Sequence, residues 1–465
     1  MDQIARIPAR ARSVAMTAIV LLCVAAPAMP AHAQATVTTV QITGRSNANP
    51  SVAVQDRFAV VTWSAATLSS MDIYAAVSRD GGRSFGAPVQ VNATPGDARV
   101  SGENPPRVAL VPQGSGDPAI VIVWTAKRGA RTALLWAQSR DGGRIFGASA
   151  DVPGSDGEGA RGWASVAVDG RGRVGVLWLD HRRLPAMPMT HAMGASPAEA
   201  KGDTKGDAKT DAKTPGASAP PAADPTARAG YSDLRLAWLT RKGGTSPRAS
   251  VSTVLASSVC YCCKTTLVTT GPRIAAAWRQ VYPGSFRDMA FTESRDGGAT
   301  FSAPVRVSED HWPLDGCPDN GPTMGLDANG QALVIWPAPA DGQSAGALTL
   351  FAAARRPDGR FGARVALPTG GPAGHVQLVM TGSGTASVVW DEVVNGARQL
   401  GAATVRTDAA GRVTVAPATP PVVGGGQWYP SLAGGHAGVL AAWVRQSPGG
   451  TVIGVAPLPE RQSGR

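Results

Sequence analysis

Histidine and tyrosine are scarce in this chain, with six and five copies in 465 residues, and cysteine is as rare, with five. A place where several of these reactive residues gather therefore stands out against its background. After the first thirty residues no apolar run approaches the roughly eighteen that a membrane-spanning helix needs, which excludes such a span. Helix-forming runs are few, while glycine (56) and proline (37) are abundant beside frequent valine and threonine, so the composition points to an all-β chain. The net charge of +11 is basic. The arginines are spread thinly and lack interleaved aromatics, which argues against a nucleic-acid face and makes solubility the better account of the charge.

The opening residues read as an address. Arg6, Arg10 and Arg12 give a basic start, Val14 to Ala26 is apolar, and Ala31-His32-Ala33 offers the small-x-small pattern of a cleavage site. Residues 1–33 are thus expected to be a signal peptide, and the mature protein to be periplasmic or secreted. Removing them leaves a net charge of +9. An oxidising compartment would then surround the thiols.

Seven tryptophans close short apolar runs at Trp63, Trp124, Trp178, Trp278, Trp336, Trp390 and Trp443, with spacings of 61, 54, 100, 58, 54 and 53 residues. The one long gap contains an insertion, residues 186–230, whose removal restores the period. Each unit has room for four short strands, the size of a propeller blade. The expectation is one domain over residues 34–465: a seven-bladed β-propeller of four-stranded antiparallel blades, with six blades as the alternative count. The last unit has room for about three strands, and residues 36–42 read as the strand that completes it and removes an exposed edge.

A second signature follows three of the tryptophans at 15, 15 and 16 residues. It is S-x-D-x-G-x-x-F, carried by Ser78, Asp80, Gly82 and Phe85, by Ser139, Asp141, Gly143 and Phe146, and by Ser294, Asp296, Gly298 and Phe301. Short polar side chains bind backbone in such a turn and glycine supplies positive φ. The pattern resembles the Asp box of sialidases and related propellers, where it folds the turn between the outer two strands. It implies a fold and a structural role for these residues rather than an activity. The sialidase R-I-P stretch occurs only as Arg6-Ile7-Pro8 in the signal segment. Tyr74, Tyr231, Tyr261, Tyr282 and Tyr429 lack the context of a sialidase nucleophile. Arg182, Arg279 and Arg287 are the candidates for a substrate-holding arginine set, and no catalytic residue is assigned.

In a propeller, the loops leading into the blades and those after each second strand share one face. That face should gather Trp163, Cys260, Tyr261, Cys262, Cys263, the run Asp315 to Asn320, His375, Trp428 and Tyr429, together with Asp180-His181-Arg182, Arg279 to Asp288, and the carboxylates Asp391 and Glu392. Asp180, Asp391 and Glu392 are expected as solvated rim groups, with acid–base catalysis as the alternative. All four mature cysteines fall on this list.

The C-x-C-C at Cys260, the Y-P-G-S-x-R-D from Tyr282 to Asp288, the W-x-x-x-G-C-P-x-x-G-P from Trp312 to Pro322, and the W-L-D-x-R from Trp178 to Arg182 together resemble a group of exported sialidase-like Asp-box proteins. The likeness covers blades three to five and departs at Asp319-Asn320, where the group would carry His or another polar pair. Two readings of the cysteines stay open. One is structural disulfides, although neighbouring Cys262 and Cys263 have Cα atoms about 3.8 Å apart, short of the roughly 4.4–6.8 Å a bridge prefers. The other is a soft metal, copper as Cu(I), which thiolates and thioethers select. The expected ligands are Cys260, Cys262, Cys263 and Cys317 with His311 nearby, and Met187, Met189, His191 and Met193 form an accessory arm. That arm leads into the low-complexity stretch Ala198 to Asp224, whose composition implies disorder.

The leading functional expectation is a monomeric soft-metal-binding propeller for acquisition, delivery or redox handling, its partner being the metal ion or a metal-delivery protein. The alternatives are a glycan-binding or glycan-cleaving propeller and a protein-interaction scaffold.

Overall fold

The repeat folds because each unit alone exposes two apolar sheet faces, and a neighbour on either side buries them. The computed structural model describes residues 36–114, 116–129, 131–183, 232–239, 252–314, 316, 318–340, 348–435 and 438–459. Within the unit Ala35–Arg465, these form seven four-stranded antiparallel sheets, the blades of a β-propeller. In blade one the strands are Ser46–Gln55, Phe58–Ala66, Met71–Ser78 and Val89–Gln90, each hydrogen-bonded to the next, and blades two to six repeat this order. Blade four runs from Thr266–Thr270 on the inside to Val305–Arg306 outside. No helix among the described residues is long and apolar enough to cross a membrane.

The seventh blade holds Gln427–Gly435, Gly438–Ser447 and Gly450–Pro457, and takes its fourth strand, Thr38–Val40, from the other end of the chain. Thr38, Thr39 and Val40 pair antiparallel with Val455, Gly454 and Ile453. The innermost strands touch in sequence order around the ring, and Gln427–Gly435 touches Ser46–Gln55 to close it. Seven blades and the terminal clasp are thus as the repeat implied.

The core consists of seven apolar layers, one between each pair of neighbouring blades. Each repeat tryptophan fills the layer toward the preceding blade. Trp124 packs with Phe58 and Ile73 of blade one, for example, and Trp63 with Leu440 of blade seven. All seven are at most 1% exposed. Burying one indole is worth on the order of 4–6 kcal/mol by area, which is why the tryptophan is the most regular mark of the period.

The three S-x-D-x-G-x-x-F turns join the outer two strands of blades one, two and four. Ser78 Oγ donates to Asp80 Oδ1 at 2.7 Å and accepts from Gly82 N at 2.8 Å, while Asp80 Oδ1 accepts from the nitrogens of Arg83 and Ser84, both at 3.0 Å. Ser139 with Asp141 and Ser294 with Asp296 repeat this pattern. Gly82 has φ +90°, and a Cβ there would lie 2.6 Å from Leu440 of the preceding blade, so the turn needs glycine twice over. Phe85, Phe146 and Phe301 pack against three of the interblade layers.

Candidate functional site

Two clusters of reactive side chains lie at one end of the ring. The first is built by the crossing from blade three to blade four. Cys260 N donates to Arg279 O at 2.9 Å, which turns the chain inward and leaves Cys260, Cys262 and Cys263 no more than 4% exposed against Val281, Trp163 and Tyr261. Their three Sγ atoms lie within 4.8 Å of one another. Cys260 Sγ is 2.7 Å from Cys263 Sγ and 3.9 Å from Cys262 Sγ. Cys262 is disulfide-bonded, and Cys260 and Cys263 are free thiols.

Burial opposes ionisation of Cys260, but the Cys263 thiol and the charges of Arg287 and Arg279 outweigh it and bring its pKa down to about 7. Burial and the neighbouring Cys260 push Cys263 well above its ordinary value. Cys260 is therefore the sulfur of the pair that gives up its proton first, while Cys263 keeps its own. The arginines are as buried as the thiols, Arg279 at 1% and Arg287 at 0% exposure. Arg279 donates to the carbonyls of Asn320, Arg287 and Pro337 and stacks over Trp312. Arg287 spends its Nε on Leu314 O at 3.2 Å, while its Nη1 and Nη2 have no hydrogen-bond partner among the described residues. A buried guanidinium with two unused nitrogens is costly unless an anion shares the space.

Not every expected ligand joins this group. His311 is exposed, at φ +48°, with its ring edge-on to Phe286 at 5.4 Å, and is not among the gathered ligand atoms. Cys317, Met187, Met189, His191 and Met193 lie outside the described residues. Arg182 grips Asp180 at 2.8 Å through two nitrogens and Arg279 is spent on backbone, so the three arginines form no substrate-holding set. The three carboxylates expected at a solvated rim are buried instead. Asp180 and Glu392 accept the indole N–H of Trp178 and Trp390, two residues earlier on the same strand.

The second cluster surrounds the channel mouth. In four blades the innermost strand carries a bulge whose extra residue sits at positive φ: Asn49 (+57°), Trp163 (+52°), His375 (+50°) and Tyr429 (+51°). Each such backbone costs on the order of 1–3 kcal/mol, and the bulge re-aims a side chain that regular pleating would direct elsewhere. The corresponding position in blade four is Lys264, three residues before the apolar Leu267, as His375 precedes Leu378 and Tyr429 precedes Leu432.

His375 Nδ1 lies 2.9 Å from both oxygens of Asp391, which also accepts Tyr429 N at 2.7 Å. The His375 and Tyr429 rings meet edge to face at 4.3 Å. Lys264 Nζ donates to Val376 O at 2.8 Å and lies 3.7 Å from Glu103, whose other oxygen accepts Gly321 N at 3.2 Å. Burial pushes His375 down, but Asp391 and then Glu103 more than offset it and hold the imidazole above its ordinary value. Burial and Asp391 push Tyr429 up to about 12. Asp319 is open to solvent at the rim, yet lost hydration and the Glu103 charge raise it to about 6. Sequence reading named His375, Asp391, Asp319 and Tyr429 for this face and missed Glu103, Arg107 and Lys264. The three-residue offset before the inner strand's apolar position was the signal that finds Lys264.

No family model matches the chain, and no curated relative does. Among solved structures it is similar to a PL25 ulvan lyase bound to -[GlcA(1-4)Rha3S]- (TM-score 0.52, 10% identity, 90% of this chain and 94% of that one). It is also similar to the GH93 α-L-arabinofuranosidase of Fusarium graminearum with arabinobiose (TM-score 0.45, 11% identity, 90% and 95% covered). A third is an unknown-function protein from Dyadobacter fermentans (TM-score 0.44, 13% identity, 80% and 99% covered). At these identities the likeness is one of fold.

Proposed function

We propose that this protein is an exported propeller that takes up a soft thiophilic ion, copper as Cu(I), at the cysteine cluster between blades three and four, for delivery or redox handling in the periplasm. The observation that carries the reading is the close approach of three buried cysteine sulfurs beside two buried guanidinium groups. Cys260 and Cys263, both free, are the first ligands, and Cys262 becomes the third when its disulfide is reduced. Charge supports this. Three thiolates around Cu(I) carry a net charge of −2, and Arg279 and Arg287 lie close enough to the sulfurs to offset it, which answers the unused nitrogens of Arg287. A thiol titrating near 7 also loses its proton to the metal at small cost. Thioethers from Met187, Met189 and Met193 and the His191 imidazole would suit the same ion as a delivery arm. A glycan-directed function stands second, since it rests on a fold shared with glycan-active enzymes and fold does not carry activity.

The test is an anaerobic titration of reduced protein with Cu(I) against a competing chelator. One ion per chain should bind, and Cys260→Ser and Cys263→Ser should each weaken it at least a hundredfold. Cys262→Ser should matter only under reducing conditions. Copper uptake that is absent, or indifferent to Cys260 and Cys263, would overturn the reading.

A further inference from the structure

We propose that the end of the ring opposite the cysteines carries a further binding site, an arginine-walled pocket between blades four, five and six that takes a sugar bearing a tetrahedral oxyanion ester, phosphate or sulfate. The inner strand Thr266–Thr270 of blade four follows the cysteines, and its far end turns so that Thr270 pairs with Arg273. Arg273 and Arg295 of that blade, with Arg355 of the next, line a cavity of about 330 Å³. That size falls among ligand pockets of about 300–1,000 Å³. The three arginines converge on one buried carboxylate. Arg295 Nε and Arg355 Nη1 donate to Glu293 Oε1 at 2.8 and 2.7 Å, and Arg273 Nη1 lies 3.7 Å from Oε2. Burial opposes the charge of Glu293, but Arg355 and Arg295 outweigh it and hold the carboxyl below its ordinary value.

Glu293 does not exhaust these donors. Arg273 makes no hydrogen bond with a described residue, and neither do Arg295 Nη1 and Arg355 Nη2. The other acids of the wall are held in their own turns. Asp327 Oδ1 accepts Asn329 N and Gln331 N at 2.9 and 2.8 Å, and Asp408 accepts the Arg412 amide and its guanidinium. Arg356 is paired with Asp358 at 3.1 Å. Three guanidinium groups therefore face two carboxylates, Glu293 and Asp327, and an anion among them relieves their repulsion while taking up unspent donors.

Shape narrows the class. Three guanidinium groups around one point can each meet a terminal oxygen of a phosphate or sulfate ester, whereas a carboxylate has only two oxygens to offer. Gly330 sets part of this geometry: its φ is +78°, and a Cβ there would come within 2.5 Å of Arg273 Cδ, so only glycine lets Arg273 lie across the turn. The cavity is larger than a bare oxyanion, and the rest of its wall is mostly polar. Asn329, Ser383 and Thr407 line it, and the side chains of Asn329 and Ser383 make no hydrogen bond with a described residue. Pro357 and Ala409 are its apolar side chains. Such a wall matches the hydroxyls of a sugar rather than an apolar group. None of these residues belongs to the thiol cluster, so the inference does not depend on copper.

Isothermal titration of copper-free, full-length protein with glucose 6-phosphate, glucose 6-sulfate, glucose, glucuronate and inorganic phosphate, at one ionic strength, tests it. At least one ester should bind, and the tighter of the two identifies the oxyanion. Glucose, glucuronate and inorganic phosphate should each bind at least about tenfold more weakly, since each lacks either the ester's oxyanion or its hydroxyls. Arg273→Gln and Arg295→Gln should each weaken the ester about tenfold. Arg295 is 64% exposed, so its variant keeps the test available should Arg273→Gln fail to fold. Arg83→Gln, an exposed arginine in a blade-one turn, should change nothing. Neither ester binding, glucose, glucuronate or phosphate binding as tightly, indifference to both Arg273 and Arg295, or an equal loss in Arg83→Gln would overturn the proposal.

Discussion

Glu392 shows how a residue's chemistry can look functional and be structural. Its Oε2 accepts Trp390 Nε1 at 3.0 Å and Gly370 N at 2.7 Å, and the side chain is buried. Trp63, Trp278, Trp336 and Trp443 find the same kind of acceptor in Asn47, Gln280, Asp310 and Gln427. Nothing about the role requires a charge. Glu392→Gln, which keeps an oxygen in place, should cost well under 1 kcal/mol, whereas Glu392→Ala strands two buried donors and should cost about 1–3 kcal/mol. Denaturant melts of the two variants check this, and equal losses would show that packing rather than the hydrogen bonds matters. The contrast with Asp391, one residue earlier, is instructive. Its side chain leaves the sheet on the other face and holds a histidine at the mouth, so strand alternation alone separates a tryptophan cap from a site residue.

At the scale of the strand, the ring depends on three residues, Thr38 to Val40, that lie far in sequence from the blade they complete. Val40 is 6% exposed and packs with Ile453, Val455 and Trp63, and Thr38–Val40 covers the open edge of Gly450–Pro457. Without that strand, the row of N–H and C=O groups on Gly450–Pro457 becomes a template for pairing with another chain. Deleting residues 36–42 should lower the Tm by several degrees and produce concentration-dependent association in light scattering. A deletion variant that stays monomeric at the wild-type Tm would mean that blade seven is stable with three strands. This clasp and the seven blades were legible in the sequence because both rest on local pattern: a tryptophan at fixed phase and a lone alternating strand at residues 36–42. The channel mouth was legible only in part: the sequence placed His375, Asp391, Asp319 and Tyr429 on this face, but not Glu103, Arg107 and Lys264. Arg107 and Lys264 become neighbours only when a ring brings blades two and four around one axis, and the bulges that turn His375 and Tyr429 outward leave no mark beyond ordinary strand residues. Asp310, which caps Trp336 from 26 residues away, was unreadable for the same reason.

For the whole molecule, the question is whether the long insertion in blade three belongs to the fold or to the function. Val174–Asp180 and Asp233–Leu239 pair residue for residue along their full length, from Val174↔Leu239 to Asp180↔Asp233. The two strands therefore meet as a hairpin along their full length, and among the described residues their interblade layers are held by Trp178, Ala237, Leu177 and Leu236 of the strands themselves. Excising residues 186–230 and joining the ends with a short glycine-rich turn should leave the fold intact. A composition that implies a structureless loop also implies a gain on shortening it, since each halving of a flexible loop returns about 0.6 kcal/mol. The expected outcome is an unchanged or slightly higher Tm. Copper uptake then separates the two parts of the metal reading. The shortened protein should keep its Cu(I) affinity at Cys260 and Cys263, while transfer of copper to or from a small chelator should slow if Met187, Met189, His191 and Met193 act as a shuttle. A fall in Tm of several degrees would place the insertion in the fold, and an unchanged transfer rate would remove the arm from the mechanism while leaving the thiol site standing.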